Sequence, residues 1–256
     1  SEIEHARTFA EAARADGLNR VVLLGMGGSS LCAEVLRDVG GAAPGWPDLV
    51  VLDTTDEGAI ARQAATFDPA LTLFIVASKS GSTVEVTSLE RYFRALVTEA
   101  IGAEAAGRRF VAITDPETQL EAHAREHHYR DIFINPPDIG GRFSALSLFG
   151  LVPAALLGHD LENFLGSARD AAEGCRENSA NNPGLALGAF MVESAKAGRD
   201  KLTLLLPPSF KAFGLWVEQL VAESTGKHGV GLVPVTGEPR FDVAQYGADR
   251  AFVVIS

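Results

Sequence analysis

The sequence is poor in several things, and each shortage narrows what it can be. Among its 256 residues are two cysteines, Cys32 and Cys175, two methionines, two tryptophans and three tyrosines. Two lone thiols in different contexts make no disulfide framework and fit a reducing compartment, so a cytoplasmic location is the expectation. No apolar run approaches the ~20 residues that a membrane helix needs. The opening residues, Ser1-Glu2-Ile3-Glu4-His5, are acidic and polar and do not read as a signal peptide. The histidines form no repeated ligand pattern with carboxylates or thiols, so no metal site is read. Positive charge is scarce as well: 22 Lys and Arg stand against 33 Asp and Glu, a net charge of −11. That deficit argues against a nucleic-acid binder, which wants a basic patch. It leaves an anionic small molecule open, because backbone N–H groups and hydroxyls at helix N-termini hold a phosphate whatever the global charge.

What is present is a core-forming composition, 46% hydrophobic, arranged in alternating signals. Val21-Val22-Leu23-Leu24 is a short apolar run stopped by Gly25, the pattern of a buried strand. A helix follows from about Ser30 to Gly40-Gly41. Leu49–Leu52, Leu73–Val76, Phe110–Ile113 and Ile132–Ile134 repeat the strand pattern. Glu57–Ala65 and Thr83–Thr98 read as helices, the latter with Val86, Leu89, Phe93 and Leu96 on one face. Apolar strands each followed by a helix predict a doubly wound parallel sheet covered on both faces, an α/β fold with ligands at the carboxyl ends of the strands.

Beyond this the pattern turns helical, over Ala145–Leu157, Leu161–Asn178 and Pro183–Ala197. It then restarts with a strand at Leu202–Leu206, a helix at Phe210–Thr225, and strands at Val230–Val233 and Phe252–Ile255. The expected division is a first α/β domain over 1–140, a helical connecting segment over 141–200, and the start of a second α/β domain over 201–256. The chain opens inside what reads as a helix and stops after a strand with the second sheet unfinished. It is therefore expected to be a piece of something longer.

Four stretches carry candidate chemistry. Gly25-Met26-Gly27-Gly28-Ser29-Ser30 lies between a strand and a helix. Its glycines let the backbone approach an anion; it reads equally as a tight turn with Ser29 or Ser30 as N-cap. A dinucleotide fingerprint is not met, because Ser30 stands where the third glycine belongs. Ser78-Lys79-Ser80-Gly81-Ser82-Thr83 also follows a strand and opens a helix. Its hydroxyls and one lysine at a positive helix end suit a phosphate monoester, against a capping loop with Lys79 solvated. Glu85, in the first turn of that helix, is either a dipole partner or the orienter of a catalytic group. Gly140-Gly141-Arg142-Phe143-Ser144 presents a guanidinium able to stabilise a developing enediolate or to serve in an ion pair. Gln219 and Glu223, four residues apart, share one helix face: a base with an amide beside it, or solvated polar groups.

Together, in this order and spacing, the four stretches resemble the glucose-6-phosphate isomerase family, built from two sugar-isomerase (SIS) domains. The resemblance runs from about Gly25 to Lys227. The wording Pro136-Pro137-Asp138-Ile139-Gly140-Gly141-Arg142-Phe143-Ser144-Ala145-Leu146-Ser147 is similar to a bacterial branch in which the isomerase is fused behind a transaldolase. The resemblance implies aldose–ketose isomerisation of glucose 6-phosphate and fructose 6-phosphate through a cis-enediolate, without a cofactor, in a homodimer when full-length. It implies that Ser29 lies near substrate, with Gly27, Gly28 and Gly141 shaping the backbone around it. Ser78, Ser80 and Thr83 bind the phosphate with Lys79 among them. Arg142 stabilises the enediolate, Glu223 shuttles the proton between C1 and C2, Gln219 contacts the sugar, and Glu85 supports a catalytic histidine. Two family features have no counterpart: a ring-opening histidine and a lysine, both later than the Glu223 motif. His228 is too close to Glu223 to serve as that histidine. The rival readings are mannose 6-phosphate isomerisation, a non-catalytic SIS module that senses sugar phosphate, and a nucleotide-binding α/β domain.

Overall fold

A computed structural model describes residues 1–255, whose contacts divide into two compact units, Ser1–Leu161 and Glu162–Ser256. The first unit runs α1 (Glu2–Ala15), β1 (Arg20–Gly25), α2 (Leu31–Gly40), β2 (Asp48–Leu52), α3 (Glu57–Ala64), β3 (Thr72–Ala77), α4 (Val84–Ile101), α5 (Ala103–Ala106), β4 (Phe110–Thr114), α6 (Gln119–Glu126), β5 (Asp131–Ile134) and α7 (Leu148–Leu156). All its strands are parallel, in the order β2-β1-β3-β4-β5. The doubly wound α/β sheet expected from the alternation is present.

Strand pleating sends successive side chains to opposite faces, and both faces here are dry. Val22, Leu24, Phe74, Val76, Phe110 and Ala112 form one buried cluster with Val86, Leu89 and Phe93 of α4 and Leu120 and Ala124 of α6. Phe74 is its centre, with ring centroids 5.1 Å from both Phe93 and Phe110. Val21, Leu23, Leu73, Ile75, Val111 and Ile113 turn the other way and are equally buried. On that face Phe9 of α1 meets Phe133 of β5 edge-on at 5.2 Å, and α1 and α2 pack on α7.

The second unit begins within α8 (Leu161–Gly174), after its first residue, and holds α9 (Pro183–Lys196), β6 (Lys201–Leu205), α10 (Lys211–Thr225), β7 (Val233–Val235) and β8 (Arg250–Val254). Its three parallel strands run β7-β6-β8. The buried cluster on them is small: Leu202, Leu204 and Ala251, with Met191, Leu206, Val217, Val221 and Val253 packed against it.

Several boundaries differ from expectation. Residues 141–161 belong to the first unit, not to a separate connecting segment; every residue of α7 is buried, which ties it to that core. The helix expected from Ala145 begins at Leu148, because Gly141–Leu146 is a 3-10 helix and the Ser147 hydroxyl takes the Phe149 N–H as an N-cap. The helix expected to reach Asn178 stops at Gly174. There one side chain serves two helices: Asn182 Nδ2 donates to the carbonyls of Cys175 and Glu177, at 2.7 and 2.8 Å, and its Oδ1 accepts from Leu185 N at the start of α9. The strand expected at Val230–Val233 falls at Val233–Val235, because His228 and Gly229 both take positive φ and close Lys227 onto Val230 in a tight turn. No helix among the described residues is long and apolar enough to cross a membrane.

Candidate functional site

The site follows from the strand order. The chain passes from β1 outward to β2, then crosses back to β3 on the other side of β1. Adjacent loops that leave a parallel sheet in opposite directions open a crevice at the carboxyl edge. Gly25 and Ala77 are partners in the β1–β3 ladder, so loops 26–30 and 78–83 leave the sheet side by side at that switch point.

In the first loop Gly27 takes φ 53°, a left-handed conformation that favours glycine. The chain then makes a 3-10 turn over Gly27–Ser29 and enters α2. Ser30 is buried and spends its hydroxyl on the Gly27 carbonyl, 3.1 Å away. It is the N-cap residue of α2 but makes no side-chain capping bond, so its hydroxyl does not cover the first N–H groups of that helix. Ser29 is half-buried beside it.

Gly28 is the contact point with the arginine stretch. A Cβ on Gly28 would lie 2.5 Å from both C and O of Gly141 and 3.0 Å from Arg142 N. The two backbones touch only because Gly28 carries no side chain. Ser144 closes the junction: its Oγ lies 3.1 Å from Gly28 O and 2.6 Å from Gly141 O, sharing one proton between two carbonyls. Arg142 is thereby held next to the glycine loop, half-buried, with its guanidinium 5.0 Å from the centre of the Phe143 ring. Cys32 sits beneath this junction, its thiol pushed up to about 12 by burial, which keeps it protonated and inert.

The second loop gathers hydroxyls at the start of α4. Gly81, at φ 66°, turns the chain and leaves room for Thr118. Ser78 is buried, with its Oγ 3.0 Å from Thr83 Oγ1. Ser82 donates to Ser80 Oγ through both N–H and hydroxyl, at 3.3 and 3.2 Å. Thr83 is the N-cap of an 18-residue helix but makes no side-chain capping bond. The positive end of α4 thus faces the crevice uncapped, with four hydroxyls around it. Glu85 lies in the first turn of this helix.

Lys79 is placed differently from the hydroxyls. Its ammonium is ion-paired to Asp115, in the loop after β4. It also donates to the carbonyl of Pro137, at 2.9 Å, in the segment leading from β5 to Arg142. Asp115 and Asn135 were not read from the sequence, although both directly follow apolar strands at the carboxyl edge, which is where such groups are to be sought.

A third unread residue is Glu90, on α4 behind the loop. It is buried, and its Oε1 takes hydrogen bonds from Arg94, His123 and Tyr129 at 2.6, 3.1 and 2.8 Å. Burial pushes its carboxyl up, but the bonds from His123, Tyr129 and Arg94 outweigh that and hold it below the usual carboxylate range. The Tyr129 phenol is pushed up by burial and by the neighbouring Glu90 charge. This hub joins α4 to α6 and to the turn before β5.

In the second unit, Gln219 and Glu223 lie one turn apart on α10. Glu223 is exposed; Gln219 is half-buried, and its Oε1 is buried without a hydrogen-bond partner. The described residues contain no group of three or more His, Cys, Asp or Glu arranged to hold a metal ion.

A family model described as phosphoglucose isomerase matches residues 5–235. A glucose-6-phosphate isomerase of Rubrobacter xylanophilus is 32% identical over 247 residues, covering 91% of this chain and 56% of the relative. Among solved structures, a hypothetical protein from Thermus thermophilus superposes with TM-score 0.83 at 29% identity, over 92% of this chain and 56% of the other. A glucose-6-phosphate isomerase from Chlamydia trachomatis superposes with TM-score 0.75 at 25% identity, over 92% and 46%. The chain spans about half the length of the relatives it matches.

Proposed function

The chain belongs to the phosphoglucose isomerase family, and from that membership we propose that it acts in the interconversion of glucose 6-phosphate and fructose 6-phosphate. The observation that carries this reading is the uncapped N-terminus of α4, ringed by Ser78, Ser80, Ser82 and Thr83 at the switch point of the sheet. A phosphate monoester needs such donors, and neutral hydroxyls with helix N–H groups supply them in a protein of net charge −11. Ser29 and the backbone of Gly27 and Gly28 border the same crevice.

In the proposed reaction the phosphate anchors the open-chain sugar. Glu223 takes the proton from C2 of the aldose, and the electron pair left behind forms the C1–C2 double bond of the enediolate. The Arg142 guanidinium stabilises the enediolate oxygen. Glu223 then returns the proton to C1, giving the ketose. Gln219 orients a sugar hydroxyl, and Glu85 supports a histidine acting in ring opening. The resident chemistry is acid–base, and a homodimer is the assembly this reading implies.

The test is exchange of deuterium from heavy water into fructose 6-phosphate, followed by NMR. This substrate opens its ring unaided, so the experiment isolates proton transfer. Glu223→Gln is expected to lower the exchange rate by roughly 10²–10⁴-fold while leaving fructose 6-phosphate affinity within a few-fold. Exchange at the wild-type rate in Glu223→Gln would overturn the assignment of the base.

A further inference from the structure

We propose that Asp115 sets the charge of the phosphate cradle by holding Lys79 out of it. The proposal rests on the reading of residues 78–83 as the cradle. Lys79 lies between Ser78 and Ser80, so its backbone belongs to the loop that carries the hydroxyls. Its side chain goes elsewhere, into an ion pair with Asp115 and a hydrogen bond to Pro137 O. Backbone hydrogen bonds set this geometry. The β3–β4 ladder continues past both strand ends through Ser78 N to Ile113 O and Asp115 N to Lys79 O, at 3.1 and 3.2 Å. Asn135 N bonds Thr114 O at 2.7 Å and brings the start of the Pro136-Pro137 segment alongside. Asp115 is the more enclosed partner, with 14% of its side chain exposed against 30% for Lys79.

The consequence is chemical. An ammonium in the cradle would bind any small anion by charge, inorganic phosphate included. A cradle of hydroxyls and helix N–H groups binds by geometry, which favours a tethered phosphate monoester whose sugar makes further contacts. The carboxylate of Asp115 removes the cation that would blur this distinction. It also spends that cation on Pro137 O, tying the phosphate loop to the segment that ends at Arg142. Asp115 is therefore a specificity-determining residue that acts through Lys79 and does not touch the substrate.

Asp115→Asn keeps the shape and removes the charge, freeing an ammonium on a flexible stem. A charged donor is stronger than a neutral one, so inorganic phosphate is expected to bind Asp115→Asn roughly ten-fold tighter than wild type at low ionic strength. The gain should shrink as salt rises and should vanish in the double variant Asp115→Asn, Lys79→Met. Asp115→Ser provides a second route to the same charge change. A measurement on the wild-type protein needs no substitution at Asp115: with lysines reductively methylated with ¹³C and Lys79 assigned through Lys79→Arg, its methyl signal should stay put as phosphate is added. In Asp115→Asn it should move.

Equal phosphate affinity and equal salt dependence in wild type and both Asp115 variants would overturn the proposal. So would a gain that survives loss of Lys79, or a wild-type Lys79 signal that shifts with phosphate. The cradle itself is judged separately, by Ser80→Ala and Thr83→Ala. If neither weakens fructose 6-phosphate binding, the reading of the loop fails, whatever the Asp115 variants do.

Discussion

In the first unit every residue of β3 and β4 is buried. In the second, the central strand β6 is only half-buried at its ends, and β8 exposes 40% of Phe252 and 66% of Val254. Both units use parallel strands and helices on the same plan. The difference lies in coverage. A parallel sheet is stable when helices seal both faces, and the first unit does this with α1, α2 and α7 on one face and α4 and α6 on the other. The second unit buries three residues in its core cluster and leaves Leu185, Leu187, Phe190 and Val192 of α9 exposed. The comparison teaches where fixed geometry can be built. The hydroxyl-bearing loop 78–83, proposed above as the phosphate cradle, rises from the sealed sheet, the kind of well-packed platform that a binding site relying on geometry needs.

The largest expected effect tests that contrast. Phe74→Ala removes the ring at the centre of the first core and should cost about 3–5 kcal/mol. Leu204→Ala in the second unit, where neighbours are fewer and the site is nearer solvent, should fall at the low end for its class, about 2 kcal/mol. Hydrogen exchange read separately on the amides of β3 and β6 resolves the two. Equal costs would break the comparison, because they would mean that the small cluster around Leu202, Leu204 and Ala251 is as tightly packed as the aromatic core.

A second, smaller effect sharpens it electrostatically. The first unit buries a carboxylate, Glu90, held below its usual range by three hydrogen bonds. Because the folded state binds that proton more weakly than the unfolded chain, the contribution is present above the ordinary glutamate range and is lost as pH falls through the folded value. The stability of the first unit should therefore decline on acidification, and Glu90→Gln should flatten the decline. Glu90 lies in the first unit, so the acid response of β6 should not change in that variant. Exchange protection of β3 and β6 followed from neutral to acidic pH reads both slopes. An unchanged slope for β3 in Glu90→Gln would remove the hub from the account.

The contrast also explains what could be read from the chain alone. The strands of the first sheet were legible because each is an apolar run closed by a breaker, as Val21–Leu24 is by Gly25. The motif loops fell at the carboxyl edge for the same reason, since strand–helix alternation fixes which end of each strand they occupy. Helix α6 was not legible: only Leu120 and Ala124 of its eight residues are buried, too few to make a stripe. The late start of α7 depends on Ser144 and Ser147 bonding to nearby backbone, which a composition that reads as helix does not reveal. The partners of Lys79 and Glu90 stood furthest from reach. Asp115 is 36 residues from Lys79 and Tyr129 is 39 from Glu90. Such pairings are set by which strands lie side by side, so they become visible only once the sheet order is known. The strand misplaced at Val230 failed for a local reason, the left-handed pair His228-Gly229, where a non-glycine residue adopts a conformation that its type does not announce.

The smallest effect bears on α9. If its outer face contributes little to the second unit's own packing, replacing an apolar residue there by a polar one of similar helix propensity should leave stability almost unchanged. Leu187 is 48% exposed in the middle of that helix. Glutamine matches leucine closely in helix propensity, so Leu187→Gln isolates burial from backbone preference. The expected change in unfolding free energy is within about ±0.5 kcal/mol, the range of ordinary surface positions. Denaturant midpoints at unchanged slope are the readout. A loss comparable to that of Leu204→Ala would show that α9 is packed as firmly as the interior strand, and the thin coverage of the second sheet would no longer explain how the two units differ.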